Sequence, residues 1–422
     1  MISSSLDKPK DLFEVKLEVF TPIATAGYDK DVQHTLDSHR WHEPIRVPSI
    51  RGIWRWWLRA LFGGIAWDKG RDEIKFALEA TKRVLGYVGK EESSRSPLMV
   101  TLTRPDTPKS SERISLAKRV PRVSLLQTQR EVHFHPPRTY VILKIRSLFP
   151  IEQSIEDAAI ASLILSTSLG GFGKIARRGF GKLKPIEIGN KNYPKTILDL
   201  TSLWKKLFNE NLENVRNALK GLCNRTYGLA ERAFNEFEKE SLIQNNPNRL
   251  LPYIPVFSKR RLEKLELNYC QVLLTSASLL VERLRDIIEG NEEIKNDRGI
   301  QYYTCRYCTR PGRSFLDSNK PLHLIGLLCR VLAIHPKLNR DRWILGGPRK
   351  WGTKTKLKIE RRASPIWFTV LGEHGNYQIA ATIFLSEGWP QIGRSSVNLL
   401  SIFEKLMNLL LECGFQVIWP DE

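Results

Sequence analysis

Residues 168–182 read Ser-Leu-Gly-Gly-Phe-Gly-Lys-Ile-Ala-Arg-Arg-Gly-Phe-Gly-Lys. Five glycines, Gly170, Gly171, Gly173, Gly179 and Gly181, give a backbone that can take positive φ and come close to a ligand. Four cations, Lys174, Arg177, Arg178 and Lys182, stand among them, with Phe172 and Phe180 between. Amide N–H groups, guanidinium forks and flat rings together suit a sugar-phosphate backbone with unstacked bases. No Gly-Lys-Ser/Thr closes a Walker A loop, and no Gly-x-Gly-x-x-Gly leads from a strand into a helix. The bland alternative is a surface loop with solvated charges.

Two further stretches mix cations with aromatic rings. In Ile50-Arg-Gly-Ile-Trp-Arg-Trp-Trp-Leu-Arg-Ala-Leu-Phe62, the residues Ile50, Ile53, Trp54, Trp57, Leu58 and Leu61 share one helical face, which reads as core. Arg51, Arg55 and Arg59 recur every four residues beside it, rising ~5.4 Å per turn, a spacing that can follow phosphates. The alternative is a charged stripe with Arg stems packed on Trp rings. Trp56 points away from that core face, towards either a base or a neighbouring subunit. The third stretch, Gly346 to Arg362, sets Arg349, Lys350, Lys354, Arg361 and Arg362 around Trp351. Its position just before a strand argues for a folded binding edge over a loose cationic loop.

The bulk composition supports a polyanionic partner. Lys and Arg number 66 against 45 Asp and Glu, a formal charge of +21, which favours nucleic acid through counterion release and steering. With 41% hydrophobic and 26% charged residues the chain reads as globular, with about two or three domains. No apolar run approaches the ~20 residues needed to span a bilayer, and Met1 to Lys10 has no signal-peptide core, so no membrane partner is expected. Six scattered cysteines are too few for a disulfide framework and point to a cytoplasmic protein. Cys305-Arg-Tyr-Cys308 lacks a second pair at zinc spacing, so ordinary thiols or a disulfide are favoured over a metal. No cofactor is expected.

The elements that would position these stretches follow from periodicity. Asp11–Phe20 alternates as a half-buried strand ended by Thr21-Pro22. Ser49 is the predicted cap of a helix over 50–62, closed by Gly63-Gly64, and a second helix runs from Asp72 to Leu85. Strands are predicted at Leu98–Thr103, Val120–Leu126, Arg138–Ser147 and 181–188, with a helix from Ser154 to Leu169 before the glycine-rich loop. The order strand, helix, strand, strand, helix, strand is the ferredoxin-like plan. A helical stretch from Leu198 to about Glu240 leads to a boundary at Asn245–Asn248. Beyond it come a weak strand at Leu251–Phe257, helices at Thr275–Glu289 and Pro321–Ile334, strands at Pro365–Leu371 and Tyr377–Leu385, a helix at Ser395–Glu412 and a strand at Phe415–Trp419. The expected fold class is thus α+β, with two ferredoxin-like domains, the second carrying a large helical insertion. The expected division is an N-terminal domain over residues 1–190, a helical connector over 191–248 and a C-terminal domain over 249–422.

Taken together, Thr21-Pro22, Pro48-Ser-Ile-Arg-Gly-Ile-Trp-Arg-Trp-Trp-Leu-Arg-Ala60, the loop Gly170–Gly181 and Arg361-Arg-Ala-Ser-Pro365 resemble the RAMP superfamily of CRISPR proteins. More narrowly, the Arg/Trp helix resembles that of the two-RAMP-domain subunit of type III-B Cmr effector complexes, the one near the 3′ end of the guide RNA. The match is good over residues 11–188. The C-terminal half departs from it, because its last helix runs through Glu412-Cys-Gly-Phe415 into a strand without a glycine-rich loop. The resemblance implies a non-catalytic subunit that binds single-stranded guide or target RNA beside other Cmr subunits in antiviral defence. The residues alone reach only a basic protein with a backbone-binding loop.

Two other classes stay open on sequence. A metal-independent endoribonuclease needs a general acid and base near the scissile phosphate, and His34, His39 and His42 cluster with Tyr28, Lys30 and Asp37 before the Arg/Trp helix. Asp29, Asp31 and Asp37 form no recognisable two-metal pair. A bridging subunit without RNA contact accounts for everything except the glycine-rich loop. The expected RNA contacts are Arg51, Arg55, Arg59, Gly171, Gly173, Lys174, Arg177, Arg178, Gly179, Gly181, Lys182, Arg349, Lys350, Lys354, Arg361 and Arg362, with no catalytic or metal-binding residue.

Overall fold

In a computed structural model of the chain, the residues described are 9–24, 45–88, 93–103, 134–135, 137–173, 176–189, 193–209, 211–240, 249–262, 267–297, 300–301, 316–338, 366–387 and 396–420. The first unit starts with β1 (Lys10–Val19), whose alternation buries Phe13, Val15, Leu17 and Val19. Helices α1 (Val47–Asp68) and α2 (Glu73–Leu85) follow, then β2 (Leu98–Thr103), β3 (Tyr140–Ser147), α3 (Gln153–Leu169) and β4 (Leu183–Ile188). The strands form one antiparallel sheet in the order β2-β3-β1-β4. Fourth, first, third, second is the ferredoxin-like order expected from the element sequence.

Helices α4 (Lys195–Lys206) and α5 (Leu212–Glu240) pack on α3 and share its hydrophobic core. A second antiparallel sheet is built from β5 (Cys270–Ser276), β6 (Ile366–Glu373), β7 (Asn376–Phe384) and β8 (Gln416–Trp419). Its order, β6-β7-β5-β8, repeats the same plan. Helices α6 (Ala277–Glu289), α7 (Pro321–Ile334) and α8 (Ser396–Glu412) cover one face.

The other face of this second sheet is buried too. Val272, Leu274, Trp367, Leu371, Ala380, Phe384 and Trp419 join the core of the first unit, while Leu273, Ile366, Phe368, Val370, Ile379 and Ala381 face their own helices. Helices α1 and α3 therefore lie between two sheets. This explains why 15 of the 17 residues of α3, Ile155 to Leu169, are buried, small hydroxyls included. Trp54 crosses the helix pair by donating its indole N–H to Ser162 Oγ at 2.8 Å.

Several boundaries differ from those expected, each for a physical reason. α1 begins before Ser49, at Val47, because Pro48 suits a first helical turn, where its missing N–H costs nothing. It also runs through Gly63-Gly64 instead of stopping there. At Gly64 a Cβ would collide with the Phe257 carbonyl, so this glycine serves close approach of a neighbouring segment. Leu251–Phe257 is not a strand; the Phe257 N–H bonds to the Ala60 carbonyl at 2.7 Å instead. The first strand of the second sheet is β5, which lacks an alternating pattern because both faces are buried. The predicted strand at Val120–Leu126 and the boundary at Asn245–Asn248 fall outside the described residues.

Trp57 is fully buried and touches Phe257, Trp367 and Phe384 with ring centroids 6.3, 5.6 and 5.7 Å away. Truncation of a buried tryptophan typically costs about 3–5 kcal/mol. Trp57→Ala is expected to lose that much in a urea titration; a loss below about 1 kcal/mol would mean that the two units are not energetically joined here.

Candidate nucleic-acid interface

The glycine-rich loop closes on itself and on the end of β1. The Phe172 N–H bonds to the Gly181 carbonyl at 2.9 Å, and the Gly181 N–H to the Pro22 carbonyl at 3.0 Å. Thr21 Oγ1 donates to the Gly179 carbonyl at 2.7 Å and accepts from the Lys182 N–H at 2.9 Å. Thr21-Pro22 is thus the clasp of the loop. Gly181 has φ +73° and a Cβ there would overlap the Phe172 carbonyl, so two independent constraints require glycine. The backbone that the glycines let in is the chain's own. Gly171 lies buried beneath the loop, Gly173 at its half-buried turn, and Gly179 against the Ile325 side chain of α7. Phe172 and Phe180 are buried and anchor the loop, so neither is a stacking platform.

The four cations of the loop have separate fates. Lys182 is only 1% exposed, and its Nζ donates to the carbonyls of Thr167, at 2.6 Å, and Ser168, in the last turn of α3. A cation suits the negative end of a helix, and burial holds this ammonium well below its ordinary pKa. Lys182 therefore faces away from any phosphate that could reach the loop. Arg178 is buried as well, over the Phe368 ring at 5.8 Å. Arg177 is half-buried with its guanidinium 5.1 Å from the Trp56 ring centroid and 4.5 Å from that of Trp367. Burial, and then the charge of Arg178, lower its pKa to about 10, which leaves it cationic at neutral pH. Lys174 lies outside the described residues.

The loop also docks on the second sheet. The Phe368 N–H bonds to the Arg177 carbonyl at 3.1 Å, and Arg178 forms a parallel bridge with Phe368. The edge of β6 is thus capped by the loop of the first unit. Trp56 completes the seam, with Trp367 at 5.0 Å and Phe384 at 5.2 Å between centroids. Trp56 thus packs within its own chain, a contact that neither expected role included. Trp367 was missed on sequence; its signal was the position of its ring just after Arg361-Arg362, at the mouth of a strand.

Two rungs of the Arg ladder bind carbonyls of the chain itself. Arg51 donates to the Leu85 carbonyl at 2.7 Å; Arg55 reaches Leu85 and Gly86 at 3.3 and 3.4 Å. These are the free carbonyls at the C-terminal end of α2, where cations are favourable. Burial first, then the Arg55 charge, lowers the pKa of both Arg51 and Arg59, with Tyr87 acting the other way on Arg59. All three are half-buried.

The open face of the first sheet is not a base-stacking platform of the kind used by four-stranded RNA-binding sheets. Its charges pair across strands, Lys144 with Glu14 at 2.8 Å and Arg146 with Asp11 at 2.7 Å, and Lys16 covers Tyr140 at 5.4 Å. Arg349, Lys350, Lys354, Arg361, Arg362, the histidines His34, His39 and His42, and Cys305 and Cys308 all lie outside the described residues. Among the described residues no group of three His, Cys, Asp or Glu side chains is placed to hold a metal, and no helix is long and apolar enough to cross a membrane.

A RAMP superfamily model matches residues 16–184, from β1 through the glycine-rich loop into β4. Residues 16–184 form a RAMP superfamily domain. The chain is 27% identical over 161 residues to the CRISPR system Cmr subunit Cmr1-1 of Pyrococcus furiosus. That alignment covers 36% of this chain and spans less than half, 44%, of the relative. The fold likeness extends beyond the RAMP domain. The crystal structure of apo Cmr1 from Pyrococcus furiosus matches with TM-score 0.53 and 18% identity, over 96% of this chain and 98% of that one. A chain in the cryo-EM structure of type III-B Cmr-beta bound to cognate target RNA matches with TM-score 0.54 and 12% identity, over 94% and 99%. The ferredoxin-like unit that follows the RAMP domain therefore belongs to a shared architecture.

Two substitutions test the loop. Gly181→Ala adds both a positive-φ strain and a backbone overlap, with an expected loss above about 2 kcal/mol in chemical denaturation; a neutral result would mean that the loop is not closed. Lys182→Met leaves two buried carbonyls unpaired, at an expected cost of about 1–3 kcal/mol. Because the folded-state pKa of Lys182 lies below its ordinary 10.5, the unfolded chain binds the extra proton between those values. The group's contribution to stability therefore rises with pH across that window. The stability advantage of wild type over Lys182→Met should widen from neutral pH towards 10.5; a flat difference would count against a desolvated ammonium.

Proposed function

We propose that this protein is a non-catalytic, RNA-binding subunit of a type III-B Cmr effector ribonucleoprotein. It would hold single-stranded guide or target RNA, beside other Cmr subunits, in antiviral defence within the cytoplasm. The observation that carries the reading is the hydrogen bond from the Phe368 N–H to the Arg177 carbonyl. It joins the basic glycine-rich loop to the start of β6, four residues after Arg362 in the chain. The loop thus rests on a strand that follows the cationic stretch 346–362 in the sequence, on a chain with a surplus of 21 positive charges.

Arg177 is the contact residue of this site. Its guanidinium is stacked on two indoles, partly desolvated and still charged. A fork held by flat rings suits a phosphate oxygen pair. Lys174, Arg349, Lys350, Lys354, Arg361 and Arg362 extend the same cationic surface in this reading. Arg51, Arg55, Arg178 and Lys182 instead hold the helix ends and the loop that shape it. The likeness to Cmr1, and to a chain in a target-RNA-bound Cmr-beta structure, supports the same assignment.

The test is a gel-shift titration with end-labelled single-stranded RNA over a salt series, with a denaturing gel of the same samples. Arg177→Ala should weaken binding about tenfold and lower the salt slope by about 0.7, the loss of one phosphate contact on a single strand. A salt-insensitive affinity would overturn the proposal. Cleaved RNA would turn it towards a nuclease using His34, His39 and His42.

A further inference from the structure

In the second unit, helix α6 and the turn that precedes α7 enclose an open cleft of about 500 Å³, a volume within the usual range of binding sites. One wall is a single face of α6, where Ser278, Val281, Glu282 and Arg285 stand at helical spacings of three and four over two turns. The other wall is the turn 316–320. Val281 and Leu316 are half-buried and rest on the core of the second unit, so the cleft has an apolar floor. The turn leads directly into α7, whose Leu322 and Ile325 lie against the glycine-rich loop at Gly179.

The two walls use their charges differently. On the turn, the Asp317 carboxylate accepts from the Asn319 N–H and from Lys320 Nζ, each at 2.9 Å, so this pair is closed within the wall. On α6, Glu282 and Arg285 are exposed, and among the described residues neither is in a hydrogen bond or an ion pair. Opposite charges three residues apart on a helix are neighbours that commonly pair. Elsewhere in this chain they do, Arg216 with Glu213 at 3.1 Å and Lys295 with Glu292 at 2.8 Å. Glu282 and Arg285 line the cleft instead and offer one charge of each sign to its occupant. A phosphate backbone would meet the Glu282 carboxylate there, so the cleft suits a protein segment and not RNA. A helical face with an apolar centre and charged flanks is the shape on which a second amphipathic helix packs.

We propose that this cleft is the docking site for a helix of a neighbouring protein subunit. That helix carries a basic side chain for Glu282, an acidic one for Arg285 and an apolar one for the floor at Val281 and Leu316. The proposal rests on the reading of the chain as a subunit of a Cmr assembly, and it names a surface through which the chain joins that assembly.

The experiment exchanges the two charges. Glu282→Arg/Arg285→Glu keeps the net charge, so only the order of the signs changes, and an unchanged melting temperature checks the fold. Ser278→Trp fills the cleft without touching a charge. Two properties are read for each variant: capture of the purified remaining Cmr subunits by the immobilised chain, and the RNA gel shift of the chain alone. The expected result is capture weakened at least about tenfold by the exchange, because like charges then face each other. Ser278→Trp should weaken capture as well, and both variants should shift RNA as wild type does. If both variants capture the subunits like wild type, the docking site is overturned and the subunit reading stands. If wild type captures none, the subunit reading falls and the docking site with it. A weakened gel shift would assign the two charges to RNA, and a dimer of this chain that the exchange dissolves would assign the cleft to a second copy; either result overturns the proposal.

Discussion

The second sheet has to bury both of its faces, and the rest of the architecture depends on that constraint. Its own helices cover one side only. The other side carries Val272, Leu274, Trp367, Leu371, Phe384 and Trp419, and it is closed by α1, α3 and α5 of the first half of the chain. α1 and α3 in turn become a layer between two sheets, α3 buried nearly all round and α1 on every side but its arginine stripe. Neither unit could be removed without exposing a contiguous apolar face to water, so the two behave as one packed body.

The seam between the two units follows from this packing. Once α1 lies between the sheets, Trp56 and Trp57 meet Trp367 and Phe384. The glycine-rich loop, clasped by Thr21, then rests on the edge of β6 and against α7. Its glycines are needed because the backbone folds tightly against itself, and its second arginine and last lysine are consumed by the structure. Among the described cations of the loop, Arg177 is the half-buried one, its guanidinium on two indoles. Arg178 and Lys182 go to building the loop itself. The same division holds at Asp68, where a buried carboxylate spends its lone pairs on backbone N–H groups and hydroxyls and leaves two neighbouring cations exposed.

Much of the fold was legible in the residue pattern. The alternation of β1 and β3 and the apolar face of α1 through Trp54, Trp57 and Leu61 are local signals, visible because one side of each element is polar. β5 carried no such signal, because Cys270–Ser276 is buried on both sides and a periodicity of two needs a polar face to show. Gly63-Gly64 read as a helix stop for the same kind of reason: a glycine pair looks alike whether it breaks a helix or admits the Phe257 segment against it. The Arg51–Arg55–Arg59 ladder is regular in sequence, yet its first two rungs meet the carbonyl end of α2.

The sequence by itself determined the ferredoxin-like element order, the sign of the charge and the location of the loop on which the site is built. These are properties of local periodicity and composition, and they survive whatever the elements pack against. Only the tertiary structure decided which cations are spent and which are offered. Arg177 and Lys182 are five residues apart and chemically alike, but one lies at a half-open seam between two indoles and the other beneath a helix end. A side chain's chemistry is written in its type; its availability depends on the desolvation and the hydrogen-bond partners that distant parts of the chain impose on it.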